Sequence, residues 1–434
     1  MYKQQQKSYS GGTSSSGSRR GSSRGGSRGA SRSGASRSGG SRGGSAYSSS
    51  GRGGRNNFRS HGGAGQRSFD PRSVIRSASE QKQQTPVVQE ITNQFSDFPL
   101  DPRLQKNIAD RNFAQPSPIQ DQAIPQILAG KDVVGVANTG TGKTAAFLIP
   151  LINKVLVDKT SKTLIIAPTR ELAVQIDKEL QKFSRGLQIY STICIGGVPI
   201  RAQISKLQKR PQFVIGTPGR LLDLANQRKI SFEHYNNIVL DEVDRMLDMG
   251  FIHDINQIIS TLPEKRQSLF FSATLADNVR SVMSRFITDP VMISIKTAET
   301  SANIKQDIIE LKGRNKTDVL FEVLRRDEVN KTLIFMRTKH GADKLHKSLI
   351  DGGFQTAVMH GNKSQGQRQK SLEAFRNGKV SVLIATDVAS RGIDVDDISH
   401  VINHDLPESR DAYTHRIGRT GRANKKGTAL TFIG

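Results

Sequence analysis

Asp132-Val133-Val134-Gly135-Val136-Ala137-Asn138-Thr139-Gly140-Thr141-Gly142-Lys143-Thr144 is the stretch whose reading decides the fold. Residues 132–137 form a short apolar run that suits a buried strand, and the helical run Ala145 to Leu151 follows the glycines. Glycines between a strand and a helix let the backbone curl so that its N–H groups face phosphate oxygens. In that setting Lys143 reaches the β and γ phosphates of a nucleotide, and the Thr144 hydroxyl can ligate Mg²⁺. The strict pattern has Gly at the first position, where this chain has Ala137. Ala137, Asn138, Thr139, Gly140, Thr141, Gly142, Lys143 and Thr144 are therefore the first nucleotide-binding candidates.

Outward from this stretch, residues 163–167, 213–216, 238–240 and 268–271 are also short, largely apolar runs. Such runs read as strands covered on both faces, the pattern of a parallel sheet with helices on either side. The alternation restarts after the polar stretch 297–301, with residues 333–336, 357–359, 382–385, 400–403 and 428–432. Two α/β domains in tandem are predicted.

Asn237-Ile238-Val239-Leu240 delivers Asp241-Glu242-Val243-Asp244 at its carboxyl end. With a phosphate loop upstream, Asp241 is the expected Mg²⁺ holder and Glu242 the residue that positions a water against a γ-phosphate. Farther on, Arg419 and Arg422 in His415-Arg416-Ile417-Gly418-Arg419-Thr420-Gly421-Arg422 stand three residues apart. On a helix they share a face and can converge on one phosphate. The second domain has no phosphate loop of its own, so these arginines are expected to reach nucleotide held by the first.

The chain has 434 residues and a formal net charge of +25, so an anionic partner is expected. Residues 1–80 hold 15 Lys or Arg against Asp70 and Glu80, and the remainder still carries +12. Residues 1–85 are rich in Gly, Ser and Arg, too poor in apolar side chains to offset the entropy of ordering, and are predicted to be disordered. This tail reads either as a tether that holds RNA nonspecifically, with Tyr9, Tyr47 and Phe58 as stacking groups, or as a solubilising segment. Its lack of acids up to residue 69 also suits an organelle transit peptide, but it has too few apolar residues for the amphipathic helix such peptides form. Cys194 is the only cysteine, no long apolar run is present and no secretory core opens the chain, so a cytoplasmic protein without membrane association is expected.

In this order, the segments resemble the DEAD-box family of ATP-dependent RNA helicases from about Phe95 to the last residue, with the name-giving tetrapeptide written DEVD. The resemblance implies two RecA-like domains, 95–296 and 305–434, joined by a linker at 297–304, with a Q motif at 93–121. It makes Gln120 the adenine reader, Phe95 the adenine-stacking aromatic and Asp394 a ribose contact. Pro168, Thr169, Arg170, Gly197, Thr217, Gly219 and Arg220 on the first domain, with Gly361, Arg368 and Thr386 on the second, are implied to grip RNA. Asp244, Ser272 and Thr274 would couple hydrolysis to strand separation.

The implied activity is hydrolysis of ATP, with Mg²⁺, to remodel single-stranded or short duplex RNA by its backbone, by a monomer with ribonucleoprotein or ribosome-assembly partners. The alternatives are an ATP-gated RNA clamp that opens no duplex, and a DNA helicase, which the Q motif disfavours. Three departures stand out. Val243 replaces an Ala and would cost about 1–3 kcal/mol in a tight pocket, Asn112 replaces a Gly before Phe113, and the strand 428–434 is followed by no closing helix, so a truncated second domain is expected.

Overall fold

A strand apolar at every position needs cover on both faces, and Val133 and Val134 show how it is met: the first packs into one core, the second into the core on the opposite side. The computed structural model describes Arg72 and residues 91–113, 115–138, 140–295, 303–390, 395, 397–421 and 425–434. Apart from Arg72, the tail expected at 1–85 lies outside these residues, as does most of the linker.

In the first lobe β1 (Val133–Val136), β2 (Thr163–Ile166), β3 (Ser191–Cys194), β4 (Phe213–Gly216), β5 (Asn237–Leu240), β6 (Gln267–Ser272) and β7 (Val291–Ser294) form one sheet in the order β3-β4-β2-β5-β6-β1-β7. Every neighbouring pair is parallel. In the second lobe β8 (Ile304–Glu310), β9 (Thr332–Met336), β10 (Thr356–Met359), β11 (Val382–Thr386), β12 (His400–Asn403) and β13 (Gly427–Ile433) form another parallel sheet, in the order β10-β11-β9-β12-β13-β8.

The edge strands β3, β7 and β8 are not among the predicted ones. All three are part-exposed, and β8 mixes Lys305, Gln306 and Asp307 with its apolar residues, as an unpaired strand edge requires. β8 begins at Ile304, the last position of the expected linker, and runs parallel to β13 from Ile304↔Gly427 to Glu310↔Ile433.

All carboxyl ends of a parallel sheet lie on one side, where ligands of such folds bind. The loops that carry the chemistry-bearing residues all leave the strands there. The tightest fit beneath them is at Gly135 on β1, where a Cβ would lie 2.5 Å from the Phe271 ring. That ring packs on Phe147 with centroids 5.4 Å apart, so it cannot retreat easily. Gly135→Ala is expected to destabilise the first lobe by about 1–3 kcal/mol; an unchanged denaturation midpoint would refute this packing.

Candidate active site and nucleic-acid interface

Gly142 stands at φ +94° immediately before the helix Lys143–Val157, a conformation that favours glycine. A Cβ there would also meet Gln120 Nε2 at 2.3 Å and Ser117 Oγ at 2.9 Å. The loop is thus braced from outside: Gln120 Nε2 donates to Gly142 O at 3.1 Å, and Ser117 Oγ to Thr141 O at 2.7 Å. Thr141 Oγ1 donates to Asn138 O, and Lys143 Nζ folds back to Ala137 O at 2.6 Å. Thr144 follows in the helix's first turn. Thr139 lies outside the described residues.

Phe95 is 4% exposed, its ring edge-on to Phe98 and Phe113. The adenine-stacking role expected of it would require a ring face to be exposed to the nucleotide. Asn112, in place of the family's Gly, has φ +56°, which explains why Gly is favoured there and why Asn, the residue most tolerant of that region, can stand in.

Asp241 and Glu242 follow β5, both buried. Burial, and then the neighbouring Glu242 carboxylate, push the Asp241 carboxyl up to about 7 against the pull of Lys143. Its Oδ1 is buried with no hydrogen-bond partner. Against the push of burial, Arg245, Lys143 and Arg419 hold Glu242 below the usual carboxylate range. Asp244 Oδ2 accepts from the Ala273 amide at 3.2 Å, and the Asp244 amide donates to Ser272 Oγ at 3.4 Å. Among the described residues no hydrogen bond joins Asp244 to Thr274, so the expected link runs through the backbone of 273 instead. Val243 is fully buried in the apolar core beneath the helix Val243–Asp248.

Arg419 comes from the second lobe, but from beyond the helix on whose face it was predicted. The helix Arg410–Ile417 ends before Gly418, and Gly421 at φ +68° turns the chain away. Arg419 sits in that turn, 5% exposed. Arg422 lies outside the described residues, as does Asp394. A cavity of about 140 Å³ gathers Asn138, Lys143, Glu242 and Thr274 of the first lobe with His415 and Arg419 of the second.

A second cavity between the lobes, of about 370 Å³, is lined by Pro168, Thr169, Arg170, Thr217, Gly219, Arg220 and Arg368. Gly197 has φ +76°, and a Cβ there would lie 2.2 Å from the Arg170 guanidinium, so the glycines 196 and 197 give that side chain its room. Gly361 and Thr386 lie on the same edge of the second sheet, after β10 and at the end of β11, and do not line this cavity.

Several residues that hold the site together were given no role from the sequence. Glu171, side chain 1% exposed, takes Arg368 Nη2 at 2.9 Å and Gln365 Nε2 at 3.0 Å across the lobes. Its signal is a lone carboxylate inside a segment expected to meet phosphates, which must face elsewhere. Arg416 binds Asp387 through two contacts of 2.6 Å, donates to Asp405 O, and lies 5.0 Å from the Phe335 ring centroid. Asp121 pins the segment before Phe95 by accepting from the amides of Thr92 and Asn93.

Residues 117–282 match the model of the DEAD/DEAH box helicases, and 315–424 that of the helicase conserved C-terminal domain. The chain is 44% identical over 343 residues to the ATP-dependent RNA helicase CshA of Listeria monocytogenes, covering 78% of this chain and 66% of that one. To the DEAD-box ATP-dependent RNA helicase CshA of Bacillus licheniformis it is also 44% identical, covering 79% and 71%. The structure of S. cerevisiae Dbp5 bound to RNA and ADP BeF3 superposes with a TM-score of 0.70 at 32% identity, over 79% of this chain and 90% of that one. The chain spans less than two thirds of the length of the first curated relatives it matches. It belongs to the DEAD-box helicase family.

Proposed function

We propose that this protein hydrolyses ATP in the cleft between its lobes and uses closure of that cleft to separate or remodel short stretches of RNA. The observation that carries this reading is the mixed ancestry of both cavities: the acidic and phosphate-loop residues of one lobe face Arg419 of the other, and Arg170 and Arg220 face Arg368. The likeness to Dbp5 bound to RNA and ADP BeF3 supports it.

In this reading the amides of 140–144 and the amino end of the helix Lys143–Val157 take the phosphates. Lys143 exchanges Ala137 O for a phosphate oxygen. Gln120, whose Nε2 uses one N–H on Gly142 O, offers the other to adenine, and Asp394 takes the ribose. Thr144 and Asp241 would hold Mg²⁺, which supplies positive charge to the β and γ oxygens. Asp241 fits that role because a buried carboxylate oxygen without a partner is costly unless a cation meets it. Glu242 orients the water, while Arg419 and Arg422 stabilise the charge of the transferring phosphoryl group, a contribution of roughly 10³–10⁵ in rate.

Pro168, Thr169, Arg170, Gly197, Thr217, Gly219, Arg220, Gly361, Arg368 and Thr386 grip the RNA backbone, so recognition is of shape and not sequence. Asp244, through Ser272 and the 273–274 segment, reports the state of the site to the RNA face. The ATP-binding domain is taken as 95–296 and the second domain as 305–434. The setting is the cytoplasm, as a monomer acting on ribonucleoprotein; among the described residues no helix is long and apolar enough to cross a membrane.

Glu242→Gln is expected to abolish RNA-stimulated turnover while sparing ATP and RNA binding; undiminished turnover would sink the assignment. Glu171→Ala, which leaves the buried Arg368 guanidinium without its carboxylate, should weaken RNA binding in the presence of a nucleotide analogue by about tenfold or more, and nucleotide binding alone far less. Equal effects on both would remove Glu171 from interlobe coupling. Deleting residues 1–85 should flatten the salt dependence of RNA binding by about 0.7 in log-log slope for every phosphate the tail neutralises. An unchanged slope would make the tail a solubiliser.

A further inference from the structure

Arg245 lies in the helix Val243–Asp248, one turn beyond Glu242, and belongs to none of the motifs that carry the family resemblance. Its Nη1 donates to Glu242 Oε2 at 2.5 Å, with the two side chains only 6% and 10% exposed. Burying two charges costs desolvation that their attraction often fails to recover, so such a pair is a poor device for stability alone. Glu242 also stands at φ 52°, ψ 52°, the left-handed region that a non-glycine residue enters at a cost of order 1–3 kcal/mol. Both costs are spent on the orientation of one carboxylate.

Arg245 is also a residue of the interface between the lobes. It lines the cavity around Lys143, Glu242 and Arg419, and a smaller one, of about 40 Å³, against Phe335, Asp387, His415 and Arg416. One side of its guanidinium therefore meets Glu242 while its surroundings belong largely to the second lobe.

We propose that Arg245 is a positioning residue: it occupies Glu242 Oε2, leaves the other oxygen to hold the attacking water, and through its seat against the second lobe ties that orientation to closure. The inference rests on the reading of Glu242 as the water-orienting carboxylate. Because the pair acts on orientation and not on nucleotide contact, its loss should fall on kcat.

The test uses the full chain as wild type, Arg245→Gln, Arg245→Lys and Glu242→Gln, with melting temperature, RNA-stimulated ATPase, and affinities for a fluorescent ATP analogue and for single-stranded RNA with AMP-PNP. In folded Arg245→Gln, kcat should fall about tenfold or more, part of the 10²–10⁴ that a positioned acid–base group contributes. KM for ATP and both affinities should stay within about twofold, the signature of an interaction made in the transition state. Arg245→Lys, which keeps the charge without the planar fork, should recover part of the rate. Unchanged kcat in either folded variant, or affinities that fall in step with kcat, would overturn the proposal. If Arg245→Gln does not fold, Arg245→Lys decides: a lower kcat at unchanged affinity supports the role, and a wild-type kcat refutes it. Wild-type turnover by Glu242→Gln would instead overturn the role of Glu242 itself, and this inference with it.

Discussion

Two adjacent carboxylates buried at the carboxyl end of one strand repel each other, and the site is arranged around that repulsion. Neither Asp241 nor Glu242 can shed its charge into solvent, so each needs a compensating partner. Glu242 has three cations: Lys143 from the phosphate loop, Arg245 from its own helix and Arg419 from the second lobe. Asp241 has an oxygen with no partner and a carboxyl pushed upward. The pair is thus partly compensated from within the first lobe and further by Arg419 of the second, with one Asp241 oxygen left unpartnered. In the proposed cycle, that incompleteness makes hydrolysis depend on closure.

Closure itself rests on a handful of polar pairs. Glu171 with Arg368 and Gln365 is a buried cross-lobe cluster, whereas Lys178 to Glu373, at 2.6 Å, is about two-fifths exposed on both sides. An exposed pair of that kind contributes at most about 1 kcal/mol and is weakened by salt. Interfaces built in this way permit the lobes to part, which a reaction cycle with product release requires.

Much of this was legible in the sequence, for a local reason. Loop, strand and helix succession at 132–151, and the delivery of 241–244 by an apolar run, are determined by residues close in the chain. What was not legible lies between distant segments or at sheet edges. The polar strand β8 has no continuous apolar run, and the helix carrying Arg416 ends one residue before the glycine that places Arg419 in a turn. Glu171 meets its partners 194 and 197 positions away, and Arg416 meets Asp387 across another strand of the sheet. Phe95 was legible as an aromatic but not as a buried one, since that depends on Phe98 and Phe113 packing against it. Val243, expected beside the metal ligands, faces the core because the helix starts at that residue and turns its side chain inward.

In the proposed cycle the lobes complete one site only when nucleotide and RNA are both present. Because the sole native cysteine, Cys194, is fully buried, fluorophores can be placed on cysteines introduced at Tyr190 and Ile350, exposed by 65% and 51% on opposite lobes. The distance between them, followed by single-molecule energy transfer, should lengthen in the free protein and shorten to one narrow population only with AMP-PNP and single-stranded RNA together. A distance that is the same with and without the two ligands would contradict the account.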